Sequence, residues 1–160
     1  MLRNVRLEDA ASICAIYNDY IEHSHATFEE TPLAPDEMRR RIEETTTVYP
    51  WLVWEEEGTV VGYGYGRRWR ERPAYRHSVE TTIYLNRAAI GKGNGSVLFE
   101  ALLKELRLRK FHCVIGGVAL PNPASVALLE KFGLRKVAHF TEVGYKFGKW
   151  IDVGYWQLVL

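Results

Sequence analysis

A glycine-rich run, Gly91-Lys92-Gly93-Asn94-Gly95-Ser96, stands directly before a helical apolar pattern formed by Leu98, Ala101, Leu102 and Leu106. Glycines placed there let backbone N–H groups approach phosphate oxygens, and the start of a helix favours negative charge. Pyrophosphate binding is the chemistry implied; the alternative is a flexible loop at a helix start, and the glycines alone do not separate the two. The spacing is neither the phosphate-loop pattern nor the dinucleotide G-x-G-x-x-G fingerprint. Upstream, Glu80 sits on a strand-like run from Val79 to Leu85, and Arg67, Arg68, Arg70, Arg72 and Arg76 crowd the preceding segment. The guanidinium groups of Arg70, Arg72 and Arg76 could take an oxyanion by paired hydrogen bonds, although a single arginine there is by default a solvated strand edge. Read from the residues alone, Glu80 is a half-buried carboxylate paired with one of these arginines. His23 and His25 flank Ser24 without an accompanying acid or cysteine pattern, so no metal is expected. No serine or cysteine has a recognisable base partner, which disfavours a covalent acyl-enzyme.

The elements that must position these residues are legible as patterns. A short strand is expected near Leu2 to Leu7. Ile13, Ile16, Tyr17, Tyr20 and Ile21 then recur at helical spacing, predicting a helix from about Glu8 to Ser24. Pro35, Asp36 and Glu37 open a second, more polar helix carrying Met38 and Ile42, whose weak apolar face predicts a surface position. Runs from Trp51 to Glu55 and from Thr59 to Tyr65 form a hairpin about Glu57-Gly58. After the strand Val79 to Leu85, a long helix reaches about Lys110. A strand from His112 to Leu120 follows, then Asn122-Pro123 as N-cap and first helical residue, with Gly133 closing that helix. Two strand-like runs, Leu134 to Phe147 and Trp150 to Leu160, end the chain. Hairpins mixed with strand-helix-strand units predict an α/β fold with a mixed sheet and helices on both faces.

The 160 residues predict one domain, 1–160, with a net charge of +1, 47% hydrophobic and 26% charged residues. That charge argues against broad nucleic-acid binding, and no apolar run reaches the roughly 18 residues of a membrane span. Arg3, Arg6, Glu8 and Asp9 interrupt the apolar stretch of a secretory signal, so a cytoplasmic location is expected. Cys14 and Cys113 read as reduced core residues.

The glycine run, following Ile83-Tyr84-Leu85, resembles the acetyl-CoA loop of the GCN5-related N-acetyltransferases (GNAT), with Gly93 and Gly95 at the motif's last two fixed positions and Ile90 where Gln or Arg is usual. The resemblance spans nearly the whole chain. It is narrowest to the phosphinothricin and methionine sulfoximine acetyltransferase branch, through Ala15-Ile16-Tyr17-Asn18, Tyr49-Pro50-Trp51-Leu52-Val53, Val79-Glu80-Thr81-Thr82-Ile83-Tyr84 and Gly144-Tyr145-Lys146-Phe147-Gly148-Lys149-Trp150-Ile151-Asp152. It implies the GNAT fold, with a mostly antiparallel central sheet, and direct acetyl transfer from acetyl-CoA to the amine of a small amino-acid-like molecule. It further implies that Ile83, Tyr84 and Leu85 meet the pantetheine arm, that Gly91, Lys92, Gly93, Asn94, Gly95 and Ser96 hold the pyrophosphate, and that Asn122 and Lys131 add cofactor contacts. Glu80 becomes the base, directly or through a water, and Pro73, Ala74, Tyr75 and Arg76 become the substrate loop. Phe28, Trp69 and Tyr145 are candidate pocket walls. Leu129 stands where the branch often carries a histidine and other members a tyrosine, and it cannot donate a proton to the leaving thiolate; Tyr145 is a candidate substitute. A homodimer joined through the aromatic C-terminal strands is expected. Two other classes remain open at this stage: a non-catalytic acyl-CoA-binding module, and a nucleic-acid-binding domain using the basic segment 67 to 76.

Overall fold

The computed structural model describes residues 1–160. Seven strands, β1 (Leu2–Asn4), β2 (Trp51–Glu56), β3 (Thr59–Arg68), β4 (Ser78–Leu85), β5 (Cys113–Ala119), β6 (Arg135–Lys146) and β7 (Lys149–Val159), form one sheet in the order β1-β2-β3-β4-β5-β7-β6. Every neighbouring pair is antiparallel except β4 and β5, which run parallel. The parallel step is made by the crossover through a helix that any such connection requires.

Four helices cover the two faces: α1 (Ala10–His23) and α2 (Pro35–Thr46) on one, α3 (Asn94–Leu108) and α4 (Pro123–Lys131) on the other. Alternation along β2 shows why both faces close. Trp51 and Val53 join Ile13, Ile21, Met38 and Ile42 in the first core, while Leu52 between them joins Leu98, Leu102, Leu106 and Trp156 in the second. Both cysteines are free and buried.

Two expectations need correction. The first strand stops at Asn4 because the Asp9 carboxylate accepts the Arg6 N–H (2.7 Å), drawing Leu7–Asp9 into a 3-10 turn that precedes α1. The Arg3 guanidinium then grips both oxygens of that carboxylate (2.8 and 2.9 Å) and also Glu55 (2.8 Å), tying β1, the turn and β2 together. Helix α2 lies on the surface as expected, with its two apolar residues, Met38 and Ile42, one turn apart and almost fully buried in the first core. Strand β3 runs three residues further than its apolar pattern suggested, through Gly66 to Arg67 and Arg68, because it is held against β4 to its end.

Candidate active site

Strands β4 and β5 are in register only at Ser78, Val79 and Glu80, opposite Cys113, Val114 and Ile115. Beyond Glu80 they diverge, although β4 continues to Leu85 and β5 to Ala119. A gap therefore opens in the middle of the sheet, beginning at Glu80. Asn86 donates its N–H to Val61 on the β3 side (2.8 Å), and backbone direction alternates along a strand. The N–H and C=O of Thr82 and Tyr84 accordingly belong to the β3 ladder, whereas those of Ile83 and Leu85 face the gap. Of the three residues expected to meet a pantetheine arm, Tyr84 is thus turned away. The Leu85 carbonyl already accepts the Tyr20 hydroxyl (2.7 Å). The Tyr84 ring instead packs among Tyr17, Tyr20 and Tyr63, and burial pushes its hydroxyl well above the usual phenol range.

At the far end of β4 lies the glycine run. Gly91 and Gly93 both take positive φ (79° and 85°), which curls the chain into the start of α3. The five N–H groups from Gly91 to Gly95 find no acceptor within the chain, the first intrahelical donors being Ser96 and Val97 to the Gly93 carbonyl. Gly95 is different: it has ordinary φ, and a Cβ there would meet only Leu85 at 3.6 Å and Leu128 at 3.9 Å. The fold itself does not demand a glycine there, so what its absent side chain leaves clear is the space above the first turn. Asn94 points the other way, buried, donating to Glu56 (3.2 Å) and the Ala89 carbonyl (3.2 Å), so only its backbone faces a ligand. Lys131, at the end of α4, brings its ammonium to 2.9 Å from the Ser96 hydroxyl and so adds a cation to the loop. The Asn122 side-chain oxygen is spent capping α4 through the Ser125 N–H (3.1 Å). Free amides, a helix start and a nearby ammonium suit a diphosphate.

Glu80 marks the other end of the gap. Its side chain is 15% exposed, and its Oε2 accepts from Nε of Arg67 (3.0 Å), its cross-strand neighbour, with Nη2 of the same guanidinium at ion-pair distance (2.9 Å). Its Oε1 lies over Gly117 on β5, where an added Cβ would stand 3.2 Å from that oxygen and 3.0 Å from the Tyr155 ring. Gly117 is what lets the carboxylate and the ring share this place. Tyr155 meets Trp69 edge-on at 5.4 Å and Phe140 at 5.8 Å. Trp69, Phe140 and Tyr155 thus form an aromatic cluster beside Glu80.

Of the walls expected from sequence only Trp69 belongs here. Tyr145 is 56% exposed and packs on Trp150, and Phe28 lies across Gly144. Tyr145 therefore does not stand in for the missing acid. Leu129 is buried with its methyl groups against Gly116, so the position where the resemblance led a proton donor to be looked for is part of the core. Pro73, Ala74 and Tyr75 form an exposed 3-10 turn, and Arg76 donates to the Pro73 carbonyl (3.1 Å). This turn joins β3 to the end of β4 that bears Glu80. Sequence reading missed Gly117 and Tyr155. The pair Gly116-Gly117 inside a central strand was the available signal, because a glycine there marks a close approach.

The acetyltransferase (GNAT) domain model matches residues 2–154. The chain belongs to the GNAT acetyltransferase family. Among its relatives it is 39% identical to phosphinothricin N-acetyltransferase of Streptomyces viridochromogenes, over 98% of this chain and 85% of that one. It is 35% identical to the L-methionine sulfoximine/L-methionine sulfone acetyltransferase of Salmonella typhimurium, over 95% and 90%. A solved GNAT phosphinothricin acetyltransferase from Sinorhizobium meliloti, in complex with acetyl-CoA, superposes with a TM-score of 0.97 at 35% identity, covering 100% of this chain and 88% of that one. The GNAT fold expected from the resemblance, with its mostly antiparallel sheet and helices on both faces, is the fold found.

Proposed function

We propose that this GNAT enzyme transfers the acetyl group of acetyl-CoA to the primary amine of a small amino-acid-like acceptor, in a ternary complex formed across the β4–β5 gap. One observation carries the reading: a single opening in the sheet has a loop of unpartnered N–H groups at one end, at Gly91 to Gly95, and a carboxylate with one free oxygen, Glu80, at the other. The residues fit the co-substrate. The amides of residues 91–95 and Lys131 suit its diphosphate, the gap-facing backbone of Ile83 and Leu85 suits an extended amide-containing arm, and Ser96 supplies a hydroxyl beside Lys131.

Acetyl-CoA supplies an activated acyl carbon whose bond to sulfur breaks as a bond to nitrogen forms. An ammonium has no lone pair, so the amine must first lose a proton, and the Oε1 of Glu80 is the acceptor placed for it. Gap-facing N–H groups on β4 supply dipoles for the developing charge on the carbonyl oxygen. Sulfur leaves with the bonding electrons. A free thiol has a pKa of about 8.5, so the thiolate can depart near neutral pH with Leu129 giving no proton. Pro73 to Arg76 border the acceptor's entry. The working unit is one domain, 1–160, paired with a second copy through the exposed apolar residues of β6 and β7. No helix is long and apolar enough to cross a membrane, and we assign the enzyme to the cytoplasm.

Thiol release from acetyl-CoA, measured against a panel of amino acids that includes phosphinothricin, methionine sulfoximine and methionine sulfone, tests the reading. Turnover with at least one of them is expected. Tight acetyl-CoA binding without turnover on any amine would instead identify a non-catalytic binding module.

A further inference from the structure

Arg67 is the one arginine of the basic segment that is aimed at Glu80. Among its neighbours, Arg68 projects to the opposite face of β3, Arg70 lies 4.8 Å over the Trp69 ring, and Arg76 closes its own turn, while Arg72 makes no contact with Glu80. Arg67 donates through Nε to Oε2 of Glu80 and holds Nη2 at 2.9 Å from the same oxygen. Two consequences follow from that geometry. The other oxygen, Oε1, stays free on the Gly117 side. The Nη1 group also has no partner in the chain, and the side chain is 52% exposed, so two N–H donors of a fixed planar fork remain free for a ligand.

We propose that Arg67 reads the carboxylate of the acceptor through Nη1 while it holds Glu80 beside the acceptor's amine. This rests on the acetyltransferase reading above and names the group that selects for amino acids. An α-amino acid carries an ammonium and a carboxylate on one carbon. Here an acidic oxygen and a guanidinium edge lie side by side with the opposite polarity, so the zwitterion meets each charge with its complement and no charge is left unpaired. A plain amine of the same shape offers nothing to Nη1 and brings a second cation toward Arg67, which is a repulsive element against it. The apolar side of the pocket, Trp69, Phe140 and Tyr155, takes the acceptor's side chain.

The test compares kcat/KM for the best amino acid of the panel with that for its carboxamide, in the wild type and in Arg67→Met. The readout is the ratio of the two. Loss of support for Glu80 slows both substrates alike and cancels, whereas loss of carboxylate reading acts on one only. The wild type should prefer the free acid by at least about 100-fold, because a site built to pair a charged group rejects the analogue lacking it. Arg67→Met should bring the ratio to within about 3-fold of unity, with the KM for acetyl-CoA unchanged, and Arg67→Lys should restore part of the preference. Arg67→Gln provides the same comparison if the methionine variant does not fold. A wild-type ratio near unity, or a ratio that survives both neutral variants, overturns the role of Arg67 and leaves the acetyltransferase reading intact. Absence of turnover with every amine discards both.

Discussion

The base proposed for the reaction, Glu80, has one oxygen, Oε2, engaged by Arg67 and the other left over Gly117. The Glu80→Gln enzyme should keep its fold and its acetyl-CoA affinity but lose turnover by about 100-fold or more at neutral pH, the scale of a general base. Single-turnover kinetics with pre-bound acetyl-CoA would check this, and equal rates for the two proteins would remove Glu80 from the chemistry. The choice of Glu80 was legible in the sequence because its spacing before Ile83 matches a family pattern. Its partner and its pocket were not. Arg67, Gly117 and Tyr155 come from three different strands, and only the registers Arg67 opposite Glu80 and Gly117 opposite Tyr155 bring them together. Five arginines in ten residues gave no means of telling which one would face the carboxylate.

At the scale of elements, the loop between β4 and α3 separates two uses of glycine that look identical in sequence. Gly93 is needed by the backbone, since its φ of 85° is one that side-chain-bearing residues rarely adopt. Gly95 is not, and its lost Cβ matters only if something else lies against the turn. Gly95→Ala should therefore leave the melting temperature unchanged or slightly raised, a helix gaining a better former, while weakening acetyl-CoA binding by about 10-fold or more. Gly93→Val should lower both. Thermal melts beside titration calorimetry would separate the cases, and undiminished affinity in Gly95→Ala would place the diphosphate elsewhere. The element order, the hairpin and the Asn122 cap could all be read from patterns of apolar residues, glycine and proline. The end of β1 could not. It is set by the Asp9 carboxylate capturing a backbone N–H.

For the whole molecule, the C-terminal ribbon poses a question that the two cores leave unanswered. Strand β6 is one of the sheet's two edges, and Val137, Phe140, Val143, Tyr145, Phe147 and Trp150 on this ribbon are each more than half exposed. An apolar surface of that kind on a small protein marks a contact. A loose ribbon would not explain it, because Lys146 is 2% exposed and fastened by its ammonium to the Ser24 and Thr27 carbonyls (2.7 and 2.9 Å), which burial accompanies with a lowered pKa. The face is therefore rigid and presented outward, and a second copy offering the same face would cover it by two-fold symmetry. Sedimentation should show a dimer for the wild type, and Val143→Glu together with Trp150→Glu should yield monomers, each placing a charge where apolar contact is required. Because Phe140 on this ribbon also touches Tyr155 in the acceptor pocket, the monomeric variant should lose affinity for the amine while its acetyl-CoA affinity, set at the opposite end of the gap, stays near that of the wild type. A wild type that remains monomeric at high concentration would contradict the pairing, and a monomeric variant with unaltered amine KM would show that the pocket is complete within one chain.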